Sequence, residues 1–200
     1  MTHTITKTPT TVQPPAILVG QSCEVIMTKQ RFRHLTLLGV LTIPKACWPC
    51  SVTHVTSGVE LVTKADAILR VRAVEYDKPP SNPTIGTNSV PDSVVKFEVL
   101  EVIRGHASSE LSLHGYLNKF DDFYDQPSPY RFVRPGGRSG SCFANSYRKG
   151  ADYLLFLKRS EETGQLTVNW AALAPVNEEL HSSDDPWLLW VRKQAEQVSK

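Results

Sequence analysis

The sequence predicts a mainly β domain, a small five-stranded antiparallel barrel with a helix at each end, and three observations carry that prediction. Two long segments, 65–76 and 94–105, alternate apolar and polar residues with the period of a half-buried strand. Shorter strand-like segments follow at 110–117, 152–159 and 165–173, and one amphipathic segment closes the chain. No strand–helix–strand alternation of a parallel sheet is present, so five strands and a closing helix bury their apolar faces most simply as a barrel.

Taken in order, a short helix is expected within 53–64, ahead of the first long strand. In ADAILRVRAVEY, Ala67, Leu69, Val71 and Ala73 share one face while Arg70 and Arg72 share the other. KPPSNPTIGTNSVPDS, residues 78–93, has the Pro, Ser and Asn content of a loop. VVKFEVLEVIRG sets Val95, Phe97 and Val99 against Lys96 and Glu98, and stops at Gly105. Residues 118–140, with DDFYD and RPGGRSG, form a long irregular stretch of the kind that is functional or mobile. Residues 161–164 make the turn between the last two strands. In HSSDDPWLLWVRKQAEQV, Ser183 or Asp184 offers a cap and Pro186 falls in the first turn. Trp187, Trp190, Val191 and Val198 then lie on one face of the helix.

The chain has 200 residues and a formal charge of +2, but the charge is unevenly placed. Five of the 22 basic residues (Lys7, Lys29, Arg31, Arg33, Lys45) and one of the 20 acidic ones (Glu24) fall in residues 1–46. That leaves 17 basic against 19 acidic residues in the remainder, a net of −2 that gives no electrostatic reason to expect nucleic acid. Within the front segment, LTLLGVLTI (35–43) is too short to cross a bilayer as a helix. Basic residues followed by a short apolar run are the layout of a secretory signal peptide. Read from Met27, residues 27–46 have that layout, and residues 1–26 become a start site placed too early or a disordered extension. The competing reading makes 35–43 a buried strand; the clustered basic residues and the Pro44 break favour the signal. Secretion, extracellular or periplasmic, is therefore expected, with membrane anchoring only if Cys47 carries lipid.

Cys47-Trp48-Pro49-Cys50 is the motif with the most chemistry. A CxxC can be a thiol–disulfide redox pair, but that chemistry sits between a strand and a helix of an α/β sheet. Cys47, Cys50, His54 and Cys142 could be written down as four zinc ligands, yet no second CxxC or HxxxH supports them. The remaining reading is structural: Cys142 bonds either Cys47 or Cys50 in an oxidising compartment, typically worth about 2–4 kcal/mol. With Cys23 removed in a leader, one of three cysteines is left over. The glycine-rich stretch 136–142 lacks both the phosphate-loop pattern and GxSxG. Asp121, Asp122 and Asp125 lack the ligand spacing of a calcium loop. No catalytic residue, metal ligand or cofactor site is expected.

SCFANSYRKGADYLLFL (141–157) resembles the corresponding segment of the netrin-like module, the class that includes the tissue inhibitors of metalloproteinases. Cysteines open the domain at Cys47 and Cys50, ADAILRVRAV is similar to the first barrel strand, and KFEVLEVIRG to the strand that ends in a basic residue and glycine. The resemblance spans 47–175, followed by a helix in 176–200 packed on the barrel. It implies an OB-type five-stranded barrel, secreted and non-enzymatic, with the N-terminal cysteine bonded to Cys142. It also implies a contact surface made of Cys47, Trp48, Pro49, Cys50, Gly137 and Ser139, with an extracellular metalloprotease or another protein as partner. In the inhibitors, the amine and carbonyl of the first cysteine chelate the protease's zinc, the place that Cys47 would take here. This sequence departs from the family in opening Cys-x-x-Cys with the bulky Trp48 second.

Overall fold

The computed structural model describes residues 52, 54–81, 91–138 and 142–198. The segment with the cleanest alternation forms β1 (Ala67–Lys78), where Ala67, Leu69, Val71 and Ala73 are buried and Arg72 is exposed. It pairs antiparallel with β2 (Val94–Arg104), which buries Val95 and Phe97. Four register shifts interrupt that pairing, and each adds local twist and bend to the ribbon. β2 ends at Gly105, whose φ is 79° and whose added Cβ would lie 2.2 Å from the Asp66 carbonyl oxygen. Only glycine fits there.

The expected strand at 110–117 is two elements, β3 (Glu110–His114) and β4 (Tyr116–Asn118), divided at Gly115. The Tyr147 ring packs where a side chain at 115 would sit, 2.4 Å from an ideal Cβ. β5 (Ser146–Arg148) lies parallel to β4, and β6 (Asp152–Arg159) pairs with β1. Tyr153 to Leu157 are buried without alternation, because both faces of β6 are covered: Tyr153 packs edge-on against Tyr147, and Phe156, on the opposite face, meets Trp187. Within the sheet β6 has β1 on one side and two further strands on the other. Those are β7 (Leu166–Val168) and β8 (Asn177–Glu179). β7 is shorter than the expected 165–173. Local bonds take over after it, from the Trp170 N–H to the Val168 carbonyl and from Ala174 to Ala171, and Leu173 turns with a φ of 61°.

Among the described residues the main sheet has six strands in the order β3-β2-β1-β6-β7, with β8 beside β6, and the pairings between them are antiparallel. Among these residues the fold is therefore mainly β, as expected, but with three helices where two were expected and six strands in the sheet where five were expected. Among the described residues, however, no pairing joins β3 to β7, and the path ends at two open edges.

Helix α1 (Gly58–Lys64) lies within the expected span. Ser57 Oγ accepts the Glu60 N–H at 3.2 Å, and Arg104 donates to the Val62 carbonyl at the other end, tying α1 to the end of β2. A single turn, α2 (Pro135–Arg138), interrupts the long loop. α3 (Pro186–Val198) is capped by Asp185 rather than by Ser183 or Asp184: its Oδ1 accepts the Trp187 N–H at 2.8 Å and its carbonyl the Leu189 N–H at 3.0 Å. The buried stripe is Trp187, Leu188, Val191 and Ala195; Trp190 lies at its margin and Val198, 42% exposed, lies outside it. Arg192 grips Glu101 of β2 through two bonds of 2.9 and 2.6 Å, while Trp187 covers Gly58 of α1 so closely that a Cβ there would lie 2.8 Å from the ring.

Candidate functional site

Of the expected contact residues, Cys47, Trp48, Pro49, Cys50 and Ser139 lie outside the described residues. Gly137 and Cys142 are described, and they sit on the long loop between β4 and β5. Gly137 is buried: a Cβ would lie 2.7 Å from Val133 and 2.8 Å from the Ala144 nitrogen, so its role is close packing of the loop's two legs. Cys142 is disulfide-bonded and holds a φ of 65°, a region that favours glycine.

Two fastenings shape this loop. The first is the Leu173 turn, whose carbonyl accepts the Val133 N–H at 2.6 Å and whose N–H donates to the Cys142 carbonyl at 2.9 Å. It stitches both legs to the chain that follows β7. The second is Arg134, whose side chain is fully buried. Its Nε donates to Asp122 Oδ2 at 2.8 Å, and its two terminal nitrogens donate to the carbonyls of Asn177, Ala144 and Ser146. The rings of Tyr147 and Tyr153 lie 5.7 and 5.3 Å from the guanidinium carbon. One planar fork thus joins the loop's start, its end and β8, which is the geometry that arginine serves and lysine does not.

Charge balance explains the carboxyls around it. Burial alone would lower the Arg134 guanidinium, but Glu178 and Asp122 raise it, so the cation is secure. Asp122 is its direct ion-pair partner and also accepts the Gly136 N–H at 2.8 Å. Glu178 is a second carboxyl for one cation. Burial pushes it up to about 8, against the opposing pull of Arg134, and its Oε2 has no hydrogen-bond partner among the described residues. The neighbouring Glu179, also fully buried, is matched separately, at 2.6 Å from Arg148, and accepts the Asp122 N–H at 3.0 Å.

Beside the loop lies a small cavity of about 230 Å3 against the β4–β5 pair, lined by Asp121, Asp122, Phe143 and Asn145 among others. Asp125 pairs with Arg138 and Asp122 with Arg134, so the acidic stretch is tied by ion pairs. His54 bonds Glu60 at 3.0 Å. Among the described residues no group of three or more His, Cys, Asp or Glu is placed to hold a metal.

Sequence reasoning missed Arg134 and the buried Asn177-Glu178-Glu179 strand. A short polar run carries no periodic signature of burial, and nothing in RPGGR marks its first arginine as the one that turns inward. No protein-family model matches the chain, and no curated protein matches it.

Proposed function

We propose that the chain is a secreted or surface-held, non-enzymatic binding module of the netrin-like kind, built on an OB-type barrel. The observation that supports it best is the strand path. β1 pairs with both β2 and β6, these carry β3 and β7, and the two outer strands are left as the lips of a seam. A partly open five-stranded barrel has such lips. The register shifts along β1 and β2 supply the bending that a sheet needs to curl toward closure. The loop between β4 and β5, fixed by Arg134 and the Leu173 turn, is a preorganised surface, which lowers the ordering cost of binding a partner. On this reading Cys142 pairs with Cys47 or Cys50, and those residues join the loop in one contact ridge.

Intact mass of the exported protein without reduction, followed by a non-reducing peptide map, tests the reading. A chain that starts at Cys47 with Cys142 cross-linked to Cys47 or Cys50 is the expected result. That product is then assayed against an extracellular zinc protease, since a free amine on Cys47 is what zinc chelation through its amine and carbonyl requires. A Cys47–Cys50 bond would point instead to a thiol oxidoreductase. A full-length chain with every thiol reduced overturns the proposal.

A further inference from the structure

The two ends of the sheet path face each other across a cleft of about 480 Å3, walled by Ser108, Glu110 and Ser112 on one side and Arg159, Gln165 and Leu166 on the other. Which backbone groups point into it follows from the ladders. In an antiparallel pair, opposed residues alternate between those that exchange hydrogen bonds and those whose N–H and C=O point away from the partner strand. On the β2–β3 ribbon, the Val99 N–H donates to the Ser109 carbonyl at 2.9 Å and the Gly115 N–H to the Ser93 carbonyl at 3.2 Å. Those positions share the register of Phe97 with Leu111 and Val95 with Leu113, so Glu110, Ser112 and His114 turn their backbone groups outward. On the β6–β7 ribbon, the Ser160 N–H donates to the Gln165 carbonyl at 2.8 Å, which places Thr167 toward β6 and turns Leu166 and Val168 outward. Two of these carbonyls have company, Glu110 from the Ser108 hydroxyl and Val168 from the Trp170 N–H. The outward groups of Ser112, His114 and Leu166 have no backbone partner among the described residues.

A strand edge, unlike an apolar face, specifies its occupant. Only another extended backbone offers donors and acceptors at the matching repeat. Successive antiparallel pairings from β3 through β2, β1 and β6 to β7 make β3 and β7 run in the same direction. A single strand running against both would continue the antiparallel ladder from lip to lip. Among the described residues a second copy of this chain offers no such strand, since its own β3 and β7 are each attached to a sheet that could not enter between two lips. We propose that the cleft binds an extended peptide segment of a partner protein, inserted antiparallel to both β3 and β7. Ala107, Leu111 and Leu166 are apolar lining residues, so the segment carries apolar side chains at alternate positions and polar ones between them. This goes beyond the function proposed above and stands on strand pairing alone, so each can fail without the other.

The test uses the full-length chain and, as probe, a displayed library of eight-residue peptides with apolar residues at alternate positions. Selected peptides are expected to slow amide exchange at Ser112, His114, Leu166 and Val168. Because an inserted strand bonds left and right in turn, N-methylation at each successive inserted position is expected to weaken binding at least tenfold. Ser112→Pro removes an N–H that points into the cleft while sparing the β2 ladder. It is expected to cost at least tenfold in affinity with the thermal midpoint held within a few degrees. The proposal is overturned by a library that yields no binder, by protection elsewhere, or by sensitivity to N-methylation at alternate positions only, which would mean addition to one edge. Self-association that protects the same amides overturns it as well.

Discussion

Glu178 shares a buried site with one guanidinium that is already paired to Asp122, so ionising it adds an unmatched negative charge. Its carboxyl is pushed up to about 8 when folded, from an ordinary value of 4.5, and burial is the largest cause. A raised folded value means that the folded chain holds the proton more tightly than the unfolded one. The associated stability is therefore fully present below about pH 4.5 and is lost as pH rises through about 8. Glu178→Gln keeps the shape and removes the titration. The wild-type unfolding free energy from denaturant titrations is expected to fall between pH 5 and pH 8.5, and that of the variant to fall less, by a difference of up to about 4 kcal/mol. Superimposable profiles would show that Glu178 is ionised without cost. At this scale the sequence is least legible. Glu161 and Glu162 lie exposed at a turn and Glu178 and Glu179 lie in the interior, yet nothing in either pair announces the difference. Burial of the second pair depends on Arg134 and Arg148 arriving from another part of the chain.

Elements are more legible, because periodicity reports which face is buried. β1, β2 and β6 begin and end within two residues of the alternating or apolar segments that suggested them. The weaker signals fared worse: β7 is three residues long, and β4, β5 and β8, each also of three, exist only through pairing with distant strands. The cap of α3 lies one residue beyond Asp184 and two beyond Ser183, the two expected candidates. Ser183, Asp184 and Asp185 are all good caps, but proline is favoured at the first helical position, so Pro186 selects the residue just before it. Asp185 is fully buried and also accepts the backbone N–H of His181 at 3.0 Å, which fixes the chain's entry into the helix. Asp185→Ala is expected to lower stability by about 1–2 kcal/mol in chemical denaturation, at the upper end of cap losses. A loss under about 0.5 kcal/mol would mean that Ser183 or Asp184 can take over the cap.

At the scale of the whole molecule, α3 joins parts that are distant in sequence, and it does so by two kinds of contact. Trp187 is fully buried, stacks on Tyr130 at 5.1 Å and on Trp190 at 5.0 Å, and closes over Gly58. It therefore links α1, the long loop and α3 through apolar area. Arg192 and Glu101 link α3 to β2 through a bidentate ion pair whose side chains are each about a third exposed, at 31% and 32%. Solvent screens the second contact, whereas the first leaves a cavity when it is removed. Trp187→Ala is accordingly expected to cost about 3–5 kcal/mol, and Arg192→Ala less than about 1 kcal/mol. Urea titrations followed by far-ultraviolet circular dichroism give both values, and an unchanged denaturant slope would show that helices and sheet still unfold together. Equal losses from the two substitutions would shift the weight to the ion pair. A biphasic transition in the tryptophan variant would mean that α3 docks on a sheet already stable without it, and that the sheet's own pairings hold the domain.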